Sequence, residues 1–104
     1  MPRMSAVIVS SLMLVTLADA AAAADVAKGE RLARRWCAAC HVVASNQQSG
    51  NTQAAPFSAM AKTPGLDAAK LAFFLLLPHP KMPDMSLSRD EAADLAAYIV
   101  AQGK

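Results

Sequence analysis

Apolar and polar residues follow a helical period in three parts of this chain, and the pattern predicts an all-α protein. In the first part, Leu32 and Trp36 stand four residues apart, which places them on one face of a helix. Asp25 precedes them and is a typical N-cap residue. No run of alternating β-branched residues follows in residues 25–104, so nothing there indicates strands.

A second helix is predicted after Thr63, an N-cap residue followed by Pro64 at the first helical position. This helix leads into residues 71–77, a run of seven apolar side chains. A helix that is apolar on all sides is normally buried. We therefore expect this segment to be buried, either against a bound cofactor or in the core.

The last helix is introduced by Ser88 and Glu91, which have the spacing of a capping box. Gly103 is a suitable residue to end it. Its apolar residues fall on one stripe, formed by Leu95, Tyr98 and Ile99.

Two segments between these helices read as loops. Residues 45–53 are polar and lack periodicity, as is typical of a surface loop. Residues 78–85 contain three prolines, which fix φ and remove backbone donors, so this loop is stiff. It carries three side chains able to bind a metal, those of His79, Met82 and Met85.

Residues 1–24 have the organisation of a secretory signal peptide. Arg3 is followed by an apolar stretch over residues 6–17 and then by an alanine-rich segment with several A-x-A sites. The cleavage site is open between a cut before Asp25 and one after Ala20. The apolar stretch is short for a membrane span of about 20 residues, although an uncleaved N-terminal anchor is an alternative.

Removal of this leader changes how the composition reads. Of the 104 residues, 55% are hydrophobic, but the leader accounts for much of that content. Residues 25–104 are expected to form a single domain with a small core and no membrane span. Domains of this size often need a covalent link or a bound group for stability. The net charge stays at +2 because one base and one acid leave together. The basic residues are scattered along the chain, so they do not indicate a nucleic-acid-binding surface.

The candidate chemistry lies in the sequence Cys37-Ala38-Ala39-Cys40-His41. The spacing C-x-x-C-H is the attachment signature of covalently bound haem c. Residues three and four apart share a face of a helical turn, so all three functional side chains can address one flat ligand. The two thiols would form thioethers with the haem, and His41 would ligate iron from the proximal side.

Two other interpretations use the same residues. A thioredoxin-like C-x-x-C requires a βαβ context, for which the sequence offers no strands. A structural zinc site requires four ligands, and only Cys37, Cys40, His41 and His79 are available. Cys40 and His41 are sequence neighbours, which makes tetrahedral closure awkward.

Over residues 25–104 the chain resembles the short bacterial class I cytochromes c. The resemblance rests on Gly29 eight residues before Cys37, on the C-A-A-C-H segment, on the Met82-Pro83 loop and on the closing residues 94–99. It implies a small all-α cytochrome c fold of three to four helices around one covalent haem. It further implies that Gly29 and Tyr98 meet where the first and last helices cross.

The resemblance implies His41 and a methionine as the axial iron ligands. Met82 precedes a proline six residues before Ser88, as in the family, and is the first choice; Met85 is the alternative. His79 is a weaker candidate because its flanking prolines restrict it, and Met60 is expected in the core. The carbonyl of Pro56 is expected to accept a hydrogen bond from His41.

The function implied is periplasmic electron transfer by one haem cycling between Fe(III) and Fe(II), and not an enzymatic activity. Redox proteins are the expected partners of a monomer, with acidic docking faces steered by basic residues near the haem edge, namely Lys81, Lys62, Arg34 and Arg35. One alternative is a haem subunit of a periplasmic dehydrogenase or oxidase. Another is a ligand-sensing or peroxidatic haem protein.

Overall fold

The computed structural model describes residues 23–51, 53–78 and 81–104, which form four helices and no strand. The helices are α1 (Val26–Trp36), α2 (Phe57–Met60), α3 (Ala68–Leu76) and α4 (Arg89–Ala101). The all-α prediction is therefore confirmed for these residues. Residues 1–22 of the predicted leader, and His79, lie outside the described residues.

Helix α1 begins where the sequence places it, directly after Asp25. The side chain of Asp25 caps its first turn, with Oδ1 accepting a hydrogen bond from the Lys28 amide at 3.1 Å. The helix ends at Trp36, and the Cys37 amide closes the last turn by donating to the Ala33 carbonyl at 2.9 Å. The C-x-x-C-H segment thus starts directly at the end of a regular helix.

Helix α4 has the predicted capping box. The Ser88 hydroxyl accepts from the Glu91 amide at 3.1 Å, and the Glu91 carboxylate accepts from the Ser88 amide at 3.0 Å. The predicted apolar stripe of Leu95, Tyr98 and Ile99 is buried. α4 is the central helix of the fold, because α1, α2 and α3 all pack against it.

The crossing of α1 and α4 depends on Gly29. A Cβ atom built on Gly29 would overlap the carbonyl oxygen of Asp94 and lie 2.8 Å from the Tyr98 Cβ. Glycine costs about 1 kcal/mol in a helix interior relative to alanine, yet here only glycine allows the two backbones to approach. The expected meeting of Gly29 and Tyr98 is confirmed.

The start predicted for the second long helix is wrong. α3 begins at Ala68, and its cap is Asp67, whose Oδ1 accepts from the Lys70 amide at 2.7 Å. Thr63 belongs instead to a turn in which Leu66 donates to its carbonyl at 3.2 Å. Gly65 in this turn has a φ of +76°, which a right-handed helix does not tolerate. A helix starting at Pro64 is therefore interrupted before it forms.

The expected burial of residues 71–77 is also wrong for most of the run. Leu71 is buried, but Phe73 is 66% exposed, and Leu76 and Leu77 are 41% and 46% exposed. Phe74 is exposed as well, at 52%. α3 turns the side that carries Leu71 and Leu75 toward the core, so its opposite side forms an apolar surface.

The short helix α2 has no counterpart in the sequence prediction. Its first residue, Phe57, is among the largest fully buried side chains and meets the Tyr98 ring edge-on, with centroids 6.3 Å apart. The other buried core residues come mainly from α1, α4 and the segment after the C-x-x-C-H motif, and they include Ala33, Val43, Leu71, Met85, Leu95 and Ile99.

Candidate functional site

The three side chains of the C-x-x-C-H segment come from one turn that follows α1. The amides of Cys40 and His41 both donate to the Cys37 carbonyl, at 3.1 and 2.8 Å. Cys37 is buried and Cys40 is exposed, and both are free thiols. The turn therefore presents two separate sulfur atoms and an imidazole, as the spacing predicts.

Burial raises the pKa of the Cys37 thiol to about 11. The free thiol is therefore a weak nucleophile for disulfide exchange at neutral pH. Among residues 23–51, 53–78 and 81–104, no group of three or more His, Cys, Asp or Glu side chains is placed to hold a metal ion. Together with the lack of strands there, this argues against the zinc and thioredoxin-like interpretations.

The imidazole of His41 is oriented by a backbone carbonyl. Its Nδ1 lies 2.6 Å from the Ala55 oxygen, and a carbonyl can only accept, so Nδ1 carries the proton. Nε2 is then the nitrogen with a free lone pair, available to a metal. The Phe57 ring lies beside the imidazole, with centroids 5.4 Å apart.

The expected acceptor for His41, the Pro56 carbonyl, is not the one in the structure. Pro56 is the N-cap of α2, and its carbonyl accepts from the amides of Ala59 and Met60, both at 3.0 Å. Because that oxygen is committed to α2, the preceding carbonyl of Ala55 faces the imidazole.

A cleft of about 410 Å³ opens in front of the motif, within the usual range of ligand pockets. Cys37, Cys40 and His41 line one part of it. The remaining wall is mostly apolar and includes Trp36, Met60, Lys81, Met82, Pro83 and Met85. The structure therefore brings the predicted thiols, imidazole and methionines to one cavity.

Met82 and Met85 both reach this cleft, and their burial differs. Met85 is 9% exposed and belongs to the hydrophobic core, while Met82 is half-buried and packs against that core. Met60, expected in the core, packs against it and also lines the cleft.

The residue that sequence reasoning missed is Gln47. Its side chain binds four backbone groups around the motif, those of Val43, Ala38, His41 and Ser49. The sequence gives no signal for it, because Gln47 and Gln48 are identical neighbours in a polar loop. Only the folded loop separates the half-buried Gln47 from the exposed Gln48.

The basic residues expected at the rim have different surroundings. Lys81 lines the cleft, and Lys62 is exposed. The Arg34 guanidinium forms an ion pair with Glu30 at 2.9 Å, and that of Arg35 lies 4.9 Å from the Trp36 ring centroid. Lys81 is thus the basic side chain placed closest to the functional cavity among these four.

The donor set and the cavity fit haem c. Two free thiols offer the pair of thioether linkages, and the His41 imidazole offers a nitrogen whose tautomer is fixed. Thioether sulfurs from methionine lie on the wall of the same apolar cleft. These features together define a c-type cytochrome.

Comparison with known proteins agrees with this assignment. The family model described as Cytochrome C oxidase, cbb3-type, subunit III matches residues 24–99, and the chain belongs to this family of c-type cytochromes. It is a small mono-haem electron-transfer cytochrome c whose cofactor is covalently bound haem c and whose partners are redox proteins.

One curated relative is Cytochrome c-552 of Bradyrhizobium diazoefficiens. It is 50% identical over 88 residues, which cover 85% of this chain and 85% of the relative. No solved structure matches the chain significantly. Within the described part of the chain, every helix is too short or too polar to cross a membrane.

Proposed function

We propose that this protein is a periplasmic electron shuttle in which Cys37 and Cys40 hold the haem and His41 and Met82 ligate its iron. Met85 is the alternative to Met82. The observation that carries the proposal is the convergence of both thiols, the imidazole and the two methionines on one cleft of about 410 Å³. Bound haem c supplies one-electron chemistry between Fe(III) and Fe(II).

The protein's own groups suit electron transfer better than catalysis. The Nδ1–H of His41 is held by Ala55, which fixes the imidazole and raises its basicity. Met82, or Met85 as the alternative, would supply the second iron ligand, and a thioether ligand would raise the reduction potential. With both iron positions taken by side chains, no site would be left for a substrate, so we propose a carrier and not an enzyme.

We propose that residues 1–24 are a signal peptide and that the mature chain is 25–104. The Asp25 amide nitrogen lies 2.7 Å from the Asp94 carboxylate. Cleavage after Ala24 would turn this nitrogen into a charged amine, which suits such a partner better than a peptide N–H does. Intact mass of the exported protein tests the cleavage site and the export together.

We propose that the monomer docks redox proteins near Lys81, the basic side chain on the rim of the cleft. Acidic partners would be steered toward this charge, and the effect would decline with salt. Comparison of Lys81→Ala with Lys104→Ala at low and high ionic strength tests the position. A second-order electron-transfer rate that falls only in the Lys81 variant, and only at low salt, is expected.

The ligand assignment is tested by optical spectroscopy of the exported protein, produced with a c-type maturation system. Met82→Ala and Met85→Ala form a matched pair, since both side chains reach the same cleft. Loss of the methionine-to-iron charge-transfer band in the Met82 variant alone is expected. Loss in the Met85 variant alone would exchange the two roles, and the absence of a Soret band in the wild type would refute the proposal.

A second candidate is a haem subunit of a larger oxidase or dehydrogenase. Two observations favour it: the description of the matching family as an oxidase subunit, and the exposed apolar side of α3 formed by Phe73, Leu76 and Leu77. Large exposed apolar surfaces commonly mark protein contacts. Stable co-purification with a catalytic chain, lost on Phe73→Ser and Leu77→Ser substitution, would select this function over the shuttle.

A further inference from the structure

The side chain of Gln47 forms hydrogen bonds with the backbone of residues 37–43, the functional turn that begins with the C-x-x-C-H motif. Its Oε1 accepts from the Val43 amide at 2.9 Å. Its Nε2 lies 3.0 Å from the Ala38 oxygen, 2.8 Å from the His41 oxygen and 3.0 Å from the Ser49 oxygen. These four groups belong to two stretches of chain that no helix or strand holds.

The partners also fix which way the amide points. An N–H needs an acceptor, so the Gln47 oxygen faces Val43, and the two hydrogens on Nε2 serve the three carbonyls. No hydrophobic side chain of similar length satisfies any of these groups. Loss of the amide would leave carbonyls of the functional turn without partners in a half-buried place.

The neighbouring backbone groups of the turn are bound by separate partners. The Cys40 carbonyl accepts from the Asn51 amide at 2.7 Å, and the Val42 carbonyl accepts from the Phe57 amide at 3.0 Å. Gln47 supplies the bonds to two further carbonyls of the turn, those of Ala38 and His41. It is the one side chain among the described residues that bonds to both carbonyls.

His41 is therefore held at three points, since its amide also donates to the Cys37 carbonyl at 2.8 Å. Ala55 fixes the ring through Nδ1 at 2.6 Å, and Gln47 fixes the backbone through the carbonyl at 2.8 Å. Gln47 does not line the cleft, so it does not touch the cofactor site directly. Any influence it has on the site passes through the backbone of residues 38–43.

We propose that Gln47 is a positioning residue that sets the orientation of His41 toward the iron. The proposal rests on the proposed role of His41 as the proximal ligand. Groups that orient a metal-bound histidine change affinity or activity by roughly 10–100-fold when removed. Here the orienting group acts on the main chain of the ligand, in addition to the carbonyl that binds its ring.

The test compares Gln47→Leu with Gln48→Leu in the exported holoprotein. Gln48 is the same residue type, adjacent and exposed, which makes it a matched control. In the Gln47 variant we expect a displaced reduction potential and a roughly tenfold or greater rise in the rate of carbon monoxide binding to the ferrous form. Both are measured far below the melting temperature, and the unfolding midpoint of each variant is recorded beside them, because local opening can also change the access of carbon monoxide.

Gln47→Glu separates hydrogen bonding from size. The glutamate keeps the length and an acceptor for Val43 but removes both donors, so it is expected to behave as the leucine variant does. Wild-type potential and carbon monoxide kinetics in both variants, even with a lower unfolding midpoint, would overturn the proposal and leave Gln47 a structural role only.

A measurement on the wild type covers the case in which the variants fail to accumulate. The side-chain amide hydrogens of Gln47 should exchange with solvent much more slowly than those of Gln48, as seen by NMR. Equal exchange would overturn the proposal. Intact mass separates the two proposals: a wild type without haem refutes the proposed function, whereas a haem-bearing protein insensitive to Gln47 substitution refutes only this inference.

Discussion

The hydroxyl of Tyr98 donates a hydrogen bond to the carbonyl of Val43 at 2.6 Å, across 55 positions of sequence. Both residues are buried. Tyr98 belongs to α4, and Val43 lies two residues after His41, so the bond anchors the functional turn to the central helix. It also supplies the polar partner that a buried tyrosine hydroxyl requires.

Tyr98→Phe should lower the free energy of unfolding by about 1–2 kcal/mol. The substitution keeps the ring that packs on Phe57 and removes only the hydroxyl, which leaves the Val43 carbonyl buried without that partner. Urea denaturation of the holoprotein measures the change. An unchanged midpoint would show that water replaces the hydroxyl at no cost.

Ionisation of the Tyr98 hydroxyl should lower the stability of the protein in alkali. Burial, reinforced by the negative charge of Glu30 and opposed by Arg34, raises the pKa of Tyr98 above its ordinary value of 10.0. The unfolded chain then releases this proton first, so the contribution is fully present below pH 10 and declines as pH rises through the folded pKa. Tyr98→Phe should lack this decline, and an identical pH profile in both proteins would contradict the argument.

Gly29→Ala should destabilise the protein by about 2–3 kcal/mol. The methyl group would gain about 1 kcal/mol of helix propensity, but it would overlap the Asp94 backbone, which cannot move as a side chain does. Thermal unfolding measures the result, and the exposed Lys28→Ala on the same helix, expected within about 0.5 kcal/mol of wild type, is the control. A stabilised Gly29 variant would mean that α1 and α4 can separate freely.

Substitution of Met85 should lower the free energy of unfolding through loss of side-chain volume and not through loss of the sulfur atom. It is a buried core residue, so Met85→Ala should cost about 2–4 kcal/mol, whereas Met85→Leu should cost less than about 1.5 kcal/mol. Chemical denaturation measures the stability, and the optical spectrum reports the iron ligand. Met82→Leu is the matched control, expected to lose the charge-transfer band that Met85→Leu keeps.

Asp94→Asn tests the proposed cleavage after Ala24 through the charge that a free amine at Asp25 would carry. A free amine at Asp25 would lie 2.7 Å from the Asp94 carboxylate, which favours its charged form. The stabilisation is then fully present below the ordinary amine pKa of about 8 and lost as pH rises through the folded pKa. At pH 6 the asparagine variant should lose about 0.5–1 kcal/mol, and the difference should shrink toward pH 10.

Two controls isolate this contact from the other charges near it. Lys28, Arg31, Arg35 and Glu91 line the same groove as Asp94, so the background charge is mixed. Asp90→Asn changes an exposed acid one turn earlier in the same helix and should not alter the slope between pH 7 and 10. One serine inserted between Ala24 and Asp25 keeps a peptide N–H at that place, and a slope that persists there would contradict the assignment.

Sequence patterns predicted a structural feature correctly where the interaction joins residues that are close together in the chain. Asp25 and the Ser88–Glu91 pair act on amides three residues away, so their capping roles were confirmed. Thr63 was misread because Gly65, two residues on, adopts a positive φ that ends the predicted helix, and Asp67 caps instead. Glycine adopts positive and negative φ about equally readily, so its presence in the sequence does not show which one the turn uses.

Other features depended on partners far along the chain. The acceptor of His41 was expected at Pro56 and is Ala55, since the formation of the short helix α2 uses the Pro56 carbonyl. The exposure of Phe73 follows from how α3 meets α4, and an apolar run does not reveal which of its sides will face the core. Gln47 differs from Gln48 only through the path of a loop.

The sequence by itself determined that this is an all-helical protein with a haem-attachment turn, because helix periodicity, capping and the C-x-x-C-H spacing are written within a few neighbouring residues. The tertiary structure alone decided how the turn is held: by Gln47 from the loop, by Ala55 before α2 and by Tyr98 from α4. These bonds join groups that lie from 6 to 55 positions apart in the chain, beyond the spacing of a helix cap. Hydrogen bonds form only at about 3 Å, and which distant groups come that close is fixed by packing and not by local pattern.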